Sequence, residues 1–324
     1  MSRTIEVEIF ASISADEPLG GAIAVATDGT HDSDGAVRLG VELARRDGVA
    51  VALLSVVEPM PYADHEGGTA ADTERLTRLA IEERRGELAA QRTRTFPSDR
   101  PWPHAIHVGN RVDEIVKHAG YHGASLIVLG LGSHGVFARL LHRETALRVI
   151  RTAPIPVLAV PSGAVEVPRS AVVAIDFTEA SEDAARAALD VLGGHGTLYF
   201  AHATPRIVIP QGDSRGWGEP GVSDVLGRLE AIARRLDIPG DMKVEFVSLH
   251  GEPADELIAF AQQQHADMIA TGAHGRSAIG RLVLGSVSTK VVRSATCAVL
   301  VAPARPAAAE ARSESFEPPA QPIG

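Results

Sequence analysis

Two groups of residues in the C-terminal half have types and spacing suited to chemistry. The first runs Gly272-Ala273-His274-Gly275, then nine residues, then Gly285-Ser286-Val287-Ser288. Gly272 and Gly275 follow the apolar run 267–271, and residues without a Cβ let the backbone turn sharply and approach a ligand closely. Gly285-Ser286 precedes the helical run 287–293. Unpaired N–H groups and the positive end of a helix dipole at that point favour an anion such as phosphate. The hydroxyls of Ser286 and Ser288 add donors. Glycines that merely end a strand and cap a helix are the competing reading, but the added Gly285-Ser286 at this distance favours an anion cradle. The second group is Asp176, which ends the run Val172-Val173-Ala174-Ile175. A carboxylate at that strand end suits sugar hydroxyls, and capping of the next turn is its alternative role.

Other reactive side chains carry less. His118 and His122 are four apart at the end of a helical run, and His104 and His107 are three apart. No further ligands are marked for a metal, so all four read as solvent-facing or helix-end histidines. Cys297 begins an apolar run and reads as a packed small residue. Lys290 and Arg276 are close enough in sequence to the glycine motif to serve as charge partners. Gly130-Leu131-Gly132-Ser133-His134-Gly135 spells a dinucleotide-binding pattern, but it follows a fourth strand rather than a first and lacks the acidic residue about 20 positions on.

The elements that must position these residues alternate regularly. Apolar runs at 22–27, 49–57, 105–108, 125–130 and 156–160, then 171–175, 197–201, 243–248, 267–271 and 298–302, read as parallel strands buried on both faces. Helical patterns lie between them at 34–46, 73–92, 113–119, 139–151, 183–192, 222–236, 253–263 and 279–293. This alternation predicts an α/β chain of two tandem doubly wound domains, each a five-stranded parallel sheet flanked by helices. The halves repeat each other: Asp28 matches Asp176, Gly109 matches Gly251, Gly132–Gly135 matches Gly272–Gly275, and the run ending at Pro161 matches that ending at Pro303. The predicted domains are 20–161 and 169–303, with a linker at 162–169 and a disordered tail over 304–324.

Composition narrows the function. Of 324 residues 45% are hydrophobic but only 4% aromatic, so the core is aliphatic. A net charge of −10 argues against sequence-independent binding to nucleic acid, which requires basic patches. No apolar run approaches the roughly 20 residues of a membrane span, the first 20 residues do not read as a signal peptide, and a lone cysteine fits a reducing compartment. A cytoplasmic location is expected.

Asp176 with Gly272-x-x-Gly275, nine residues and Gly285-Ser286 resembles the ATP-binding branch of the universal stress protein family, and the resemblance extends over nearly the whole chain as two copies. It implies strand order 3-2-1-4-5 and pairing of the two units through their last strands as an intramolecular pseudo-dimer, with a homodimer as a further option. It implies ATP with its adenine near His202 and Ala203 and its triphosphate on the backbone at Gly275 and Gly285-Ser286. His274 and Val287-Ser288 border that path, and a divalent ion, Mg or Mn, rides on the phosphates. The first half departs from the pattern. Counted back from the last strand, Arg143 and Glu144 stand where Gly285 and Ser286 should, which predicts a lost or altered site, with Glu144 placing a negative charge at the phosphate position. Asp28 survives, leaving room for a smaller ligand. A nucleotide-binding stress or signalling module is the leading expectation. A slow ATPase with at most weak turnover, or an interaction protein that binds no nucleotide, are the alternatives.

Overall fold

Each short β-branched run becomes a strand, and each amphipathic run a helix. The structure, a computed structural model, describes residues 19, 21–59, 69–96, 104–132, 136–163, 166–205, 222–273 and 284–303. The first repeat contains β1 (Ala22–Ala26), α1 (Asp34–Asp47), β2 (Ala50–Val57), α2 (Ala70–Thr95), β3 (His104–Val108), α3 (Arg111–Tyr121), β4 (Ala124–Gly130), α4 (Val136–Thr152) and β5 (Val157–Val160). The second contains β6 (Ser170–Ala174), α5 (Glu179–Leu192), β7 (Thr197–Thr204), α6 (Val222–Ala233), β8 (Lys243–His250), α7 (Pro253–Gln263), β9 (Met268–Gly272), α8 (Ser286–Ser294) and β10 (Ala298–Ala302). A 3-10 turn, His31–Ser33, leads into α1.

Local chemistry sets the helix ends. Thr69 and Asp72 form a reciprocal capping box that starts α2. The Asn110 side chain accepts from the N–H groups of Val112 and Asp113 to start α3. α1 stops at Gly48 and α5 at Gly193, both with φ of 67°, a left-handed conformation that glycine adopts without steric cost. The helical pattern 73–92 is the inner part of α2, because the capping box adds a turn ahead of it. Of the pattern 279–293, residues 279–283 lie outside the described residues, and α8 begins at Ser286.

The strands form one ten-stranded sheet in the order β3-β2-β1-β4-β5-β10-β9-β6-β7-β8. Each half is the 3-2-1-4-5 arrangement, parallel throughout. The halves join where β5 and β10 pair antiparallel, with Leu158 opposite Leu300. The strands of the two repeats therefore run in opposite directions, and their carboxyl ends lie on opposite edges of the sheet.

Two hydrophobic cores, one on each face, run through both repeats. One gathers α1, α5 and α6, with Leu158 and Leu300 beneath them. The other gathers α3, α4, α7 and α8. A third, smaller cluster of Val57, Ile81, Leu88 and Ile106 belongs to the first repeat alone, under α2. Polar contacts add to the junction: Arg46 at the end of α1 donates to the carbonyls of Val191 (2.5 Å) and Asp190 (2.7 Å), two of the orphan acceptors at the end of α5.

Sheet register corrects one pairing between the halves. Ala24 faces Ile127 and Val172 faces Ile269, so Gly130, not Gly132, is the counterpart of Gly272. The partners of these two glycines in the last strands, Val160 and Ala302, agree. With this register the segments Gly130–Pro161 and Gly272–Pro303 are equally long and need no gap. The mispairing arose because the first repeat carries a second glycine two positions later, outside the strand.

Candidate functional site

The described parts of the second-repeat motif converge on the carboxyl edge of β6, β7 and β9. Asp176 stands just past β6. Its Oδ1 accepts from the Thr178 N–H (3.1 Å) and hydroxyl (2.5 Å), which folds the turn into α5. Between them Phe177 has φ of 64°, where the first repeat has Gly29 at 78°. A non-glycine side chain in that region costs roughly 1–2 kcal/mol. Two contacts hold the Phe177 ring: the guanidinium of Arg228 lies 3.6 Å from its centroid and the His202 ring 4.6 Å away. His202 Nδ1 lies 2.6 Å from the Ile175 carbonyl. A carbonyl only accepts, so Nδ1 carries the proton. Ala203 follows on β7, half-buried at the same edge.

Gly272 ends β9, and packing dictates its lack of a side chain. A Cβ there would sit 2.7 Å from the backbone carbonyl of Ala180 in the first turn of α5. Beyond it the Gly285 N–H donates to the Ala273 carbonyl (2.8 Å), and the Ser288 hydroxyl donates to the Gly272 carbonyl (2.7 Å). These bonds set the first turn of α8 on the end of β9. The first intrahelical bond runs from Thr289 N–H to Gly285 (2.9 Å), so the N–H groups of Ser286, Val287 and Ser288 precede the ladder. Among the described residues no side chain caps this end, and its first turn holds no carboxylate. The turn can therefore receive an anion. His274, Gly275 and Arg276 lie outside the described residues. Lys290 turns away from the cleft and binds Asp255 of α7 (2.8 Å), which raises its ammonium pKa.

The first repeat is built differently. Its cleft, of about 290 Å3, lies at the opposite edge of the sheet between Asp28, Gly130, Thr145 and Arg84. Register places Arg143 and Glu144 at the positions of Gly285 and Ser286. The expectation that Glu144 projects its charge into the phosphate position is corrected: its carboxylate accepts from Arg293 of α8 across the repeat junction (2.5 Å). The loop after β1 is tied to α2 by a polar network. Thr27 bonds Ser33 and Gln91 (both 2.8 Å), Gln91 donates to Asp34 (3.0 Å), and Arg94 pairs with Asp34 (3.0 Å). Sequence reading missed this network and the arginines of the cleft. The bonds that join α2 to the end of β1, to β2 and to the start of α1 span 29 to 64 positions, and no local pattern marks them.

His118 and His122 stand at the end of α3, as the helix-end expectation has it, but the solvent-facing alternative fails. His118 and His122 are 6% and 4% exposed, not solvent-facing. Their rings meet edge to face (4.5 Å), with His107 against His118 (5.2 Å), on the face where α3 packs under the sheet. Burial holds His118 at a pKa of about 3, with help from the neighbouring imidazoles. Among the described residues no three His, Cys, Asp or Glu side chains gather to hold a metal ion. Cys297 is largely enclosed and its thiol is pushed up to about 11 by burial. No helix among the described residues is long and apolar enough to cross a membrane.

Comparison with known proteins agrees with this architecture. The chain matches the universal stress protein family model twice, over residues 21–161 and 169–303. A universal stress protein of Mycobacterium tuberculosis is 25% identical over 297 residues, spanning 86% of this chain and 96% of that one. A universal stress protein of Mycolicibacterium smegmatis is 26% identical over 290 residues with the same coverage. The crystal structure of a universal stress protein from Archaeoglobus fulgidus superposes with a TM-score of 0.57 at 19% identity, covering 87% of this chain and 96% of that one, a likeness of fold.

Proposed function

The chain belongs to the universal stress protein family, as two copies in tandem, and from that premise we propose that its second repeat binds ATP as a stress-response or signalling module. The observation that carries this reading is the start of α8. It combines an uncapped helix N-terminus, a glycine at Gly285 and a first turn without carboxylates, facing the same sheet edge as Asp176 and Ala203. The helix dipole and three N–H groups that precede the helical ladder there favour phosphate oxygens. Asp176 suits the ribose hydroxyls, and the edge of β7 at His202 and Ala203 offers the base a partly apolar seat. No ready-made metal cage occurs among the described residues, so in this reading a Mg or Mn ion is held mainly by the phosphates themselves.

The test is calorimetric titration of the full chain with MgATP, after identification by mass of any nucleotide that co-purifies. About one nucleotide per chain is expected. Gly285→Arg, which copies the first repeat, should abolish binding while circular dichroism stays unchanged. Unaltered affinity in that folded variant overturns the reading. Absence of both co-purified nucleotide and titration heat favours an interaction protein. Release of phosphate from bound ATP would move the reading toward a slow ATPase.

A further inference from the structure

The first-repeat cleft has an inventory unlike a nucleotide site. Among the described residues its charged groups are the guanidiniums of Arg84 and Arg111 and the carboxylates of Asp28 and Asp32, its hydroxyls those of Thr27, Ser33 and Thr145, and its apolar wall Leu54, Val56, Ile115 and Leu129. Its volume of about 290 Å3 falls just below the range of roughly 300–1,000 Å3 that holds drug-sized ligands. The phosphate cradle is replaced by Arg143 and Glu144. Ala52 faces Ala24 as Tyr199 faces Val172, so Ser55 occupies the place of His202, and there Arg84 donates to its hydroxyl (2.8 Å). A guanidinium therefore borders the end of the cleft that in the second repeat is the base seat.

Arg84 is held firmly. Its Nε binds Glu87 (2.8 Å) and its Nη1 binds Ser55. These bonds use two of the five N–H donors of a guanidinium. The helix that carries it is fixed to the loop after β1 through Asp34, Gln91 and Arg94. Gly29 lies so close to α2 that a Cβ would stand 2.7 Å from that of Glu87. A wall fixed before binding lowers the ordering cost of a ligand. Arg111 pairs with Glu58 at 3.2 Å, and both side chains are well exposed. Such a pair is weak and exchanges readily. On the other side, Asp28 Oδ1 collects the donors of Thr30 and Ser33 (2.7–3.1 Å), which orients the carboxylate.

Two guanidiniums, two carboxylates and an aliphatic wall around a small volume match one chemical class. We propose that the first repeat binds a free α-amino acid with an apolar side chain. The carboxylate meets Arg84 and Arg111 as a charge-assisted pair, the ammonium meets Asp28 and Asp32, and the side chain packs on Leu54, Val56, Ile115 and Leu129. This is independent of nucleotide binding in the second repeat, since the two clefts lie at opposite edges of the sheet.

The experiment is calorimetric titration of the full chain with L-leucine, L-isoleucine, L-valine, L-methionine and L-phenylalanine, with and without saturating MgATP. At least one should bind saturably, with MgATP leaving its affinity unchanged. 4-Methylpentanoate and 3-methylbutylamine, which each lack one charge, should bind at least about tenfold more weakly, since a charge-assisted bond contributes about 1.5–3 kcal/mol. Arg84→Met and the cleft-filling Thr145→Trp should each weaken binding by about tenfold or more with the circular dichroism spectrum retained. Failure of all five amino acids to bind overturns the proposal. So does equal binding of the single-charge analogues, or full affinity in both folded variants.

Discussion

Arg293, near the end of α8, donates to Glu144 of α4, the residue standing where the second repeat has Ser286. The residue that differs between the two repeats at this position thus supplies an ion pair between them. The side chains of this pair are 51% and 39% exposed, and exposed pairs typically contribute only about 0–1 kcal/mol. Leu158 and Leu300, facing each other at the junction, are both fully buried. Glu144→Gln is expected to cost less than about 1 kcal/mol, and Leu300→Ala about 2–5 kcal/mol. Because both cores run through both repeats, Leu300→Ala should shift a single urea transition for the whole chain. Separate transitions for the two repeats would contradict the shared cores.

Gly272→Ala tests what that glycine is for. Its Cβ would lie 2.7 Å from backbone atoms of Ala180, which cannot yield as a flexible side chain would. Overpacking of this kind costs about 1–3 kcal/mol. The loss should appear in urea unfolding without any nucleotide present. Unchanged stability with lost ATP affinity would instead assign the glycine to ligand contact.

Buried His118 predicts a pH dependence. Its folded pKa, about 3, lies below the ordinary 6.5, so between these values the unfolded chain holds a proton that the folded chain does not. Stability is fully present above pH 6.5 and falls by about 1.4 kcal/mol per pH unit below it, down to about pH 3. His122, lowered in the same direction, adds to the slope. Urea unfolding at pH 7.5 and 5.5 should differ accordingly, and His118→Gln should flatten the difference. An unchanged slope in that variant would clear His118 as its source.

Cys297 should resist thiol reagents in the folded protein. A thiol held at about 11 rather than 9 carries about a hundredfold less thiolate at neutral pH, and thiolate is the reactive form. Iodoacetamide labelling at pH 8 is expected to be slow and to accelerate sharply in denaturing urea. Rapid labelling of the native protein would contradict the enclosure.

The order of elements, the doubly wound class and the tandem repeat were legible in the residues themselves. Apolar runs such as Val172–Ile175 and Val299–Ala302 are too uniformly β-branched and aliphatic for a solvated face, and period and length separate them from the helices between. Gly285-Ser286 could be read as a helix start because capping preferences act within one turn. Equivalence of Gly130 with Gly272 could not be read, since glycine identity is ambiguous where three occur within six positions and only ladder register distinguishes them. Nor could the burial of His118 and His122, which depends on which face of α3 meets the sheet. The shared cores, the crossing of Arg46 to α5, the turning of Glu144 to Arg293 and the reach of Arg84 to Ser55 join residues from 29 to 149 positions apart. Local propensity carries no information about such pairs. They exist only once β5 and β10 meet and α2 settles on the loop after β1, so tertiary packing decided them.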